Sequence, residues 1–186
     1  STAYYTIGTM HNRQALTETD PTKQQEHNLR AHAAFEQCFN MAKQLESMDR
    51  DNADYPFQQC RTLANMADIY MRKNEYHTAE RYTRDALGRI NVLLETAPNN
   101  VDYAKIRAGL MRNLAMAHSK QESEKSKATA EFAEYREIIR TLLEQSPNSP
   151  MLKYMYADAL AESAAHARNM GDDTAAKQWL HEAEAF

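Results

Sequence analysis

The stretch Leu93-Leu94-Glu95-Thr96-Ala97-Pro98-Asn99-Asn100 returns 49 residues later as Leu142-Leu143-Glu144-Gln145-Ser146-Pro147-Asn148-Ser149. Each copy reads as the end of a helix followed by a proline-marked turn. A second pair, Leu63-Ala64-Asn65-Met66-Ala67 and Leu114-Ala115-Met116-Ala117, recurs with a one-residue slip. Such recurrence points to stacked supersecondary units, because one helix pair alone cannot bury both of its apolar faces. Met, Leu and Ala stripes at helical spacing would serve a plain helical bundle equally well. The duplicated endings favour stacked repeats.

The units are helical. Only four glycines and five prolines are present, valine occurs only as Val92 and Val101, and no stretch alternates apolar and polar residues as a half-buried strand would. Turn signals at Asp20-Pro21, Asp49 to Pro56, Lys73-Asn74, Ala97 to Asn100, Gln121 to Ser126, Ser146 to Pro150 and Gly171-Asp172 divide the chain. They predict helices over 2–17, 22–47, 56–73, 76–96, 100–121, 125–145, 150–170 and 173–185. Short connections between such helices make antiparallel hairpins, here 2–47, 56–96, 100–145 and 150–185. The expected fold is all-α, an α-solenoid of about four hairpins forming a single domain over 1–186.

Residues 63–87 carry Leu63, Ala67, Tyr70, Asn74, Tyr76, Ala79, Tyr82, Ala86 and Leu87 at spacings that resemble the tetratricopeptide repeat. Residues 157–183 show the pattern again through Ala164, Ala167, Gly171, Ala176, Trp179 and Ala183. Small residues let two helices cross closely, aromatic residues fill the remaining gaps, and Gly or Asn makes the turn. The second helix of each pair runs two or three turns longer than the family norm, so the resemblance is to a long-helix variant. Such variants are found appended to signalling and regulatory proteins. The chain opens on Ser1 rather than Met, which reads as a piece of a longer protein.

The resemblance implies protein–protein recognition on a concave face lined by the first helix of each pair. Aligned to that pattern, the first such helix presents Tyr5, Asn12 and Arg13, and the second presents Arg61, Asn65, Asp68 and Arg72. The third presents Met111, Leu114, His118 and Gln121, and the fourth Asp158, Arg168 and Asn169. Arg61 and Asn65, four apart, resemble the Lys-x-x-x-Asn pair with which some family members clamp a peptide carboxylate. A guanidinium can grip a carboxylate with two parallel hydrogen bonds, and an amide can reach peptide backbone. The clamp is incomplete, because Asp158, Ala161 and Ala165 stand where a third repeat would supply cations. The expected partner is therefore a protein or peptide segment.

Catalytic and metal chemistry find no foothold in the motifs. There is no phosphate-cradling loop, nucleophile elbow or dinucleotide fingerprint. His27 and His32 are five apart and diverge around a helix, and Glu162/His166 and His118/Glu122 read as surface pairs. The loop Asp49 to Asp54 fails as a calcium site, with Ala53 at a ligand position and Asp54 where Gly is needed. No enzyme, cofactor or metal is expected. A net charge of -4 with interspersed signs gives no reason to expect nucleic acid or an anionic membrane. No apolar run approaches the roughly 18–20 residues that span a bilayer. Cys38 and Cys60 read as buried free thiols, which suits a reducing, cytoplasmic setting. Two other readings stay open. One is a sensor domain of a larger signalling protein, responding to a small ligand or to self-association. The other is a homodimerising module using Trp179, Leu180 and Phe186.

Overall fold

The computed structural model describes residues 2–184, and within them every regular element is helical. The α-helices are α1 (Thr2–Thr17), α2 (Pro21–Met48), α3 (Asp54–Arg72), α4 (Tyr76–Thr96), α5 (Val101–Ser119), α6 (Lys125–Gln145), α7 (Pro150–Asn169) and α8 (Asp173–Ala183). A single 3-10 turn, Glu122–Glu124, precedes α6. The chain divides into two compact units, Ser1–Pro98 and Asn99–Phe186. Each unit contains two hairpins.

Capping explains where the helices begin. Asp20 accepts from the backbone N–H of Thr22 and Lys23 with Pro21 in the first turn. Asn100 accepts from Asp102 and Tyr103, Ser149 from Leu152, and Asp172 from Ala175. Each cap satisfies a donor that the helix itself cannot. Helix α3 starts at Asp54, two residues before the position expected from Pro56. Proline fits there because the N–H groups of a first turn have no intrahelical acceptor.

The duplicated sequence produces duplicated geometry. Ala97 (φ −140°, ψ 70°) donates to Leu93 O, and Ser146 (φ −140°, ψ 67°) donates to Leu142 O. Asp49 ends α2 in a similar way (φ −141°, ψ 89°, N–H to Leu45 O). The α3–α4 and α7–α8 turns match as well. Asn74 (φ 59°) and Gly171 (φ 82°) are left-handed. The following residues, Glu75 and Asp172, donate back to Tyr70 O and Ala167 O at 3.0 and 2.9 Å. This is the Schellman closure, which favours Gly and next Asn at the left-handed position.

Contacts within each hairpin run in opposite directions along the two helices. In unit 1 they pair Tyr5 with Phe35, His11 with His27, and Ala15 with Gln24. Phe35 is wholly buried, and a Cβ at Gly8 would lie 2.6 Å from its ring, so glycine sets how closely α1 can approach α2. Helix α2 then packs on α3 and α3 on α4, around Leu63, Met66, Ala67, Ala79 and Ile90. Unit 2 repeats the order, α5 on α6, α6 on α7 and α7 on α8, around Leu114, Phe132, Ile139, Leu160 and Ala176. Cys38 and Cys60 are free and buried. Burial pushes the Cys60 thiol up to about 12, so it stays protonated and unreactive.

Candidate peptide-binding site

In unit 1 the residues expected on the recognition face come from α1 and α3, which touch side by side. Tyr5, Arg61 and Asn65 form one cluster. The Arg61 guanidinium carbon lies 4.3 Å from the centre of the Tyr5 ring and 5.9 Å from that of Phe57. Asn65 Nδ2 donates to Tyr5 Oη at 3.3 Å and to Arg61 O at 2.7 Å. All three side chains are half-buried. No acidic residue among the described ones pairs with Arg61. A guanidinium stacked on an aromatic face keeps its in-plane N–H groups available, so this geometry leaves its donor edge free for an incoming acceptor.

Asn12 and Arg72 are brought together too, but with each other. Arg72 Nη2 donates to Asn12 Oδ1 and, at 3.1 Å, to Asn28 Oδ1. Asn12 is buried, so it is not offered to a ligand as the sequence pattern implied. Burial works against the charge on Arg72, and Asp68 one turn away partly restores it. Arg13 is exposed and takes no part in either cluster.

Unit 2 departs further from expectation. Met111, Leu114 and His118, expected on an open face, are all buried, His118 completely. The reason is the composition of α5. Buried residues lie at 103, 108, 110, 111, 113, 114, 115, 117 and 118, on several sides of the helix, so no wide polar face remains. His118 Nδ1 meets the Glu131 carboxylate at 2.7 and 2.9 Å rather than pairing with Glu122 at the surface. Glu162 likewise does not pair with His166. It accepts from Arg112 through Nε at 2.9 Å and through Nη2. His166 Nε2 lies 2.9 Å from Thr129 Oγ1.

Asp158 sits 3.4 Å from Arg112 as the second carboxylate of that cluster. Burial raises the Glu162 pKa, and the hydrogen bond from Arg112 opposes the rise. Gln121 lies beyond the end of α5, its amide donating to Ala117 O at 3.1 Å. Arg168 and Asn169 are exposed at the end of α7 and join no cluster. Of the candidate dimer patch, Trp179 lies beneath Arg136, Leu180 is exposed, and Phe186 falls outside the described residues.

Two features of unit 1 escaped the sequence reading. A cleft of about 680 Å³ opens between the first half of α2 and the end of α3, bounded by Asn28, Leu29, His32, Tyr70, Arg72 and Lys73. Much of its wall is α2, the second helix of its pair, whereas the repeat pattern implies recognition by the first. His11 and His27 bring their Nδ1 atoms to 3.3 Å across α1 and α2, with rings stacked at 5.5 Å. Spacing within one helix cannot find a pair that forms between helices. Among the described residues no three His, Cys, Asp or Glu side chains converge to hold a metal. No helix among them is long and apolar enough to cross a membrane.

No protein-family model matches this sequence, and no curated protein is significantly similar to it.

Proposed function

We propose that this chain is a non-catalytic, tetratricopeptide-like recognition module that binds an extended segment of a partner protein through the Arg61 face of unit 1. The observation that carries the reading is the Arg61 guanidinium, stacked on Tyr5 and unmatched by any acid among the described residues. An arginine held by an aromatic ring has given up much of its conformational freedom before a ligand arrives, which lowers the cost of binding. Asn65, fixed to Tyr5 and to the Arg61 carbonyl, lies one helical turn away and can meet the peptide backbone. The segment best matched to this pair carries a carboxylate, from an acidic side chain or a chain terminus. Two buried free thiols suit a reducing, cytoplasmic setting.

The test uses a displayed library of random peptides selected against the wild-type chain. Acidic or carboxylate-ending sequences are the expected winners. Their affinity should fall at least tenfold on Arg61→Glu, with helicity unchanged, and should be indifferent to Arg13→Glu. Selected peptides that bind the Arg61→Glu protein as tightly as wild type would remove this face from the proposal. The alternative of a small-ligand sensor is favoured by one observation, the 680 Å³ cleft beside Arg72, whose volume falls in the range of small-molecule sites. Loss of binding on Arg72→Glu but not on Arg61→Glu would select that reading.

A further inference from the structure

Helices α2–α4 and α6–α8 follow the same register 97 residues apart. Phe35 and Phe132, Leu63 and Leu160, Ala67 and Ala164, and Ala79 and Ala176 are counterparts, and all eight are buried. The left-handed turn residues Asn74 and Gly171 fall in the same register. The two units therefore share a framework, and differences at matching positions can be compared directly.

One difference changes the space inside. In unit 1, Tyr70 stacks on Tyr82 with ring centres 5.4 Å apart and planes 18° from parallel. Its hydroxyl lies 3.2 Å from His32 Nε2. The counterparts in unit 2 are Ala167 for Tyr70, Trp179 for Tyr82 and Thr129 for His32. Where unit 1 has a phenol ring, unit 2 has a methyl group. A cavity of about 140 Å³ lies there, bounded by Thr129, Phe132, Arg136, His166, Ala167 and Trp179. Engineered cavities of about 150 Å³ admit a benzene ring.

The wall also carries an unmet polar group. The Arg136 guanidinium carbon sits 4.1 Å from the Trp179 ring centre, and its Nη1 is buried without a hydrogen-bond acceptor. A buried donor of this kind is unfavourable until an acceptor reaches it. Its counterpart in unit 1 is the apolar Phe39, so the cation belongs to the unit with the open space.

We propose that this cavity is a binding site for a small aromatic carboxylate, with its ring among Phe132, Ala167 and Trp179 and its carboxylate on Arg136. The ring takes the place that Tyr70 fills in unit 1, and the anion supplies the acceptor that Arg136 lacks. This site lies in unit 2 and does not depend on the peptide reading of unit 1.

The probe is benzoate, with benzyl alcohol and acetate as comparisons. The chain has one tryptophan, so a single indole N–H resonance reports on the cavity in a nitrogen–proton correlation spectrum. Benzoate should shift that resonance saturably. Benzyl alcohol should bind at least tenfold more weakly, and acetate should give no saturable shift. Ala167→Tyr, which restores the unit 1 residue, should abolish the response. If that variant does not fold, Ser163→Met, which also restores the unit 1 residue at a position lining the cavity, serves the same purpose. Arg136→Met should bring benzoate down to the level of benzyl alcohol. No saturable benzoate shift in the wild type, or an undiminished one in the folded filling variant, overturns the site. Equal binding of benzoate and benzyl alcohol overturns the role of Arg136, and equal binding of acetate overturns the ring slot.

Discussion

Placing a single methyl group on Gly8 tests the packing of α1 against α2 most directly. A Cβ there would lie 2.6 and 2.7 Å from two carbons of the Phe35 ring. Carbon atoms pack at about 3.5–4.0 Å, so the ring or the helix must move by roughly 1 Å. Phe35 is wholly buried and lies 5.9 Å, centre to centre, from Tyr5, so the ring has little room to yield. Overpacking of this kind costs about 1–3 kcal/mol, against which alanine gains about 0.5–1 kcal/mol over glycine within a helix. Gly8→Ala should therefore lower unfolding stability by about 1–2 kcal/mol.

Gly88 provides the control, because a Cβ there meets no heavy atom within 4 Å. Gly88→Ala should raise stability by about 0.5–1 kcal/mol through helix propensity alone. Urea unfolding followed by circular dichroism measures both variants. A Phe35→Leu background should relieve the clash, giving a coupling of about 1–2 kcal/mol between positions 8 and 35 in a double-mutant cycle. The reasoning fails if Gly8→Ala stabilises as Gly88→Ala does, or if its penalty survives intact beside Leu at 35.

Two further perturbations test unit 2. Arg112→Met removes the two hydrogen bonds that hold Glu162 and leaves that carboxylate in a site where burial already disfavours its charge. Because the Arg112 side chain is more than one-third exposed, a loss of about 1–3 kcal/mol in urea unfolding is expected rather than the larger cost of a fully buried pair. His166 is held below the ordinary histidine range first by burial and then by Lys125. Its unfolded form takes up a proton first as pH falls through about 6.5, so stability should decline on acidification across that range. His166→Gln should flatten this part of the stability–pH curve, and an unchanged slope would count against a buried neutral imidazole.

Much of the local structure was legible because its causes are local. Asp20-Pro21, Asn100 and Ser149-Pro150 are caps whose side chains act within three residues, and Gly171 occupies the left-handed turn its position implied. The duplicated Leu-Leu-Glu segments adopt nearly identical backbone angles at Ala97 and Ser146, since each turn is built from its own residues. The candidate site was less legible. Tyr5, Arg61 and Asn65, expected on one face, meet because α1 and α3 touch there. The sequence misplaced Met111, Leu114 and His118, because a repeat pattern specifies one open face and α5 has almost none.

What the sequence determined by itself is the set of helices, their ends and the hairpin order, through caps, turn residues and apolar spacing that act within a few residues. Tertiary structure decided the partners of the charged and aromatic side chains. Arg112 could have met any nearby acid, yet it holds Glu162, fifty residues away on α7. Tyr70 and Ala167 are both acceptable helix residues, yet only packing against Tyr82 or Trp179 makes one a filled slot and the other the wall of a cavity. Helix formation reads neighbours along the chain, whereas these contacts depend on which faces meet when separate helices pack, and no short window of sequence contains both sides.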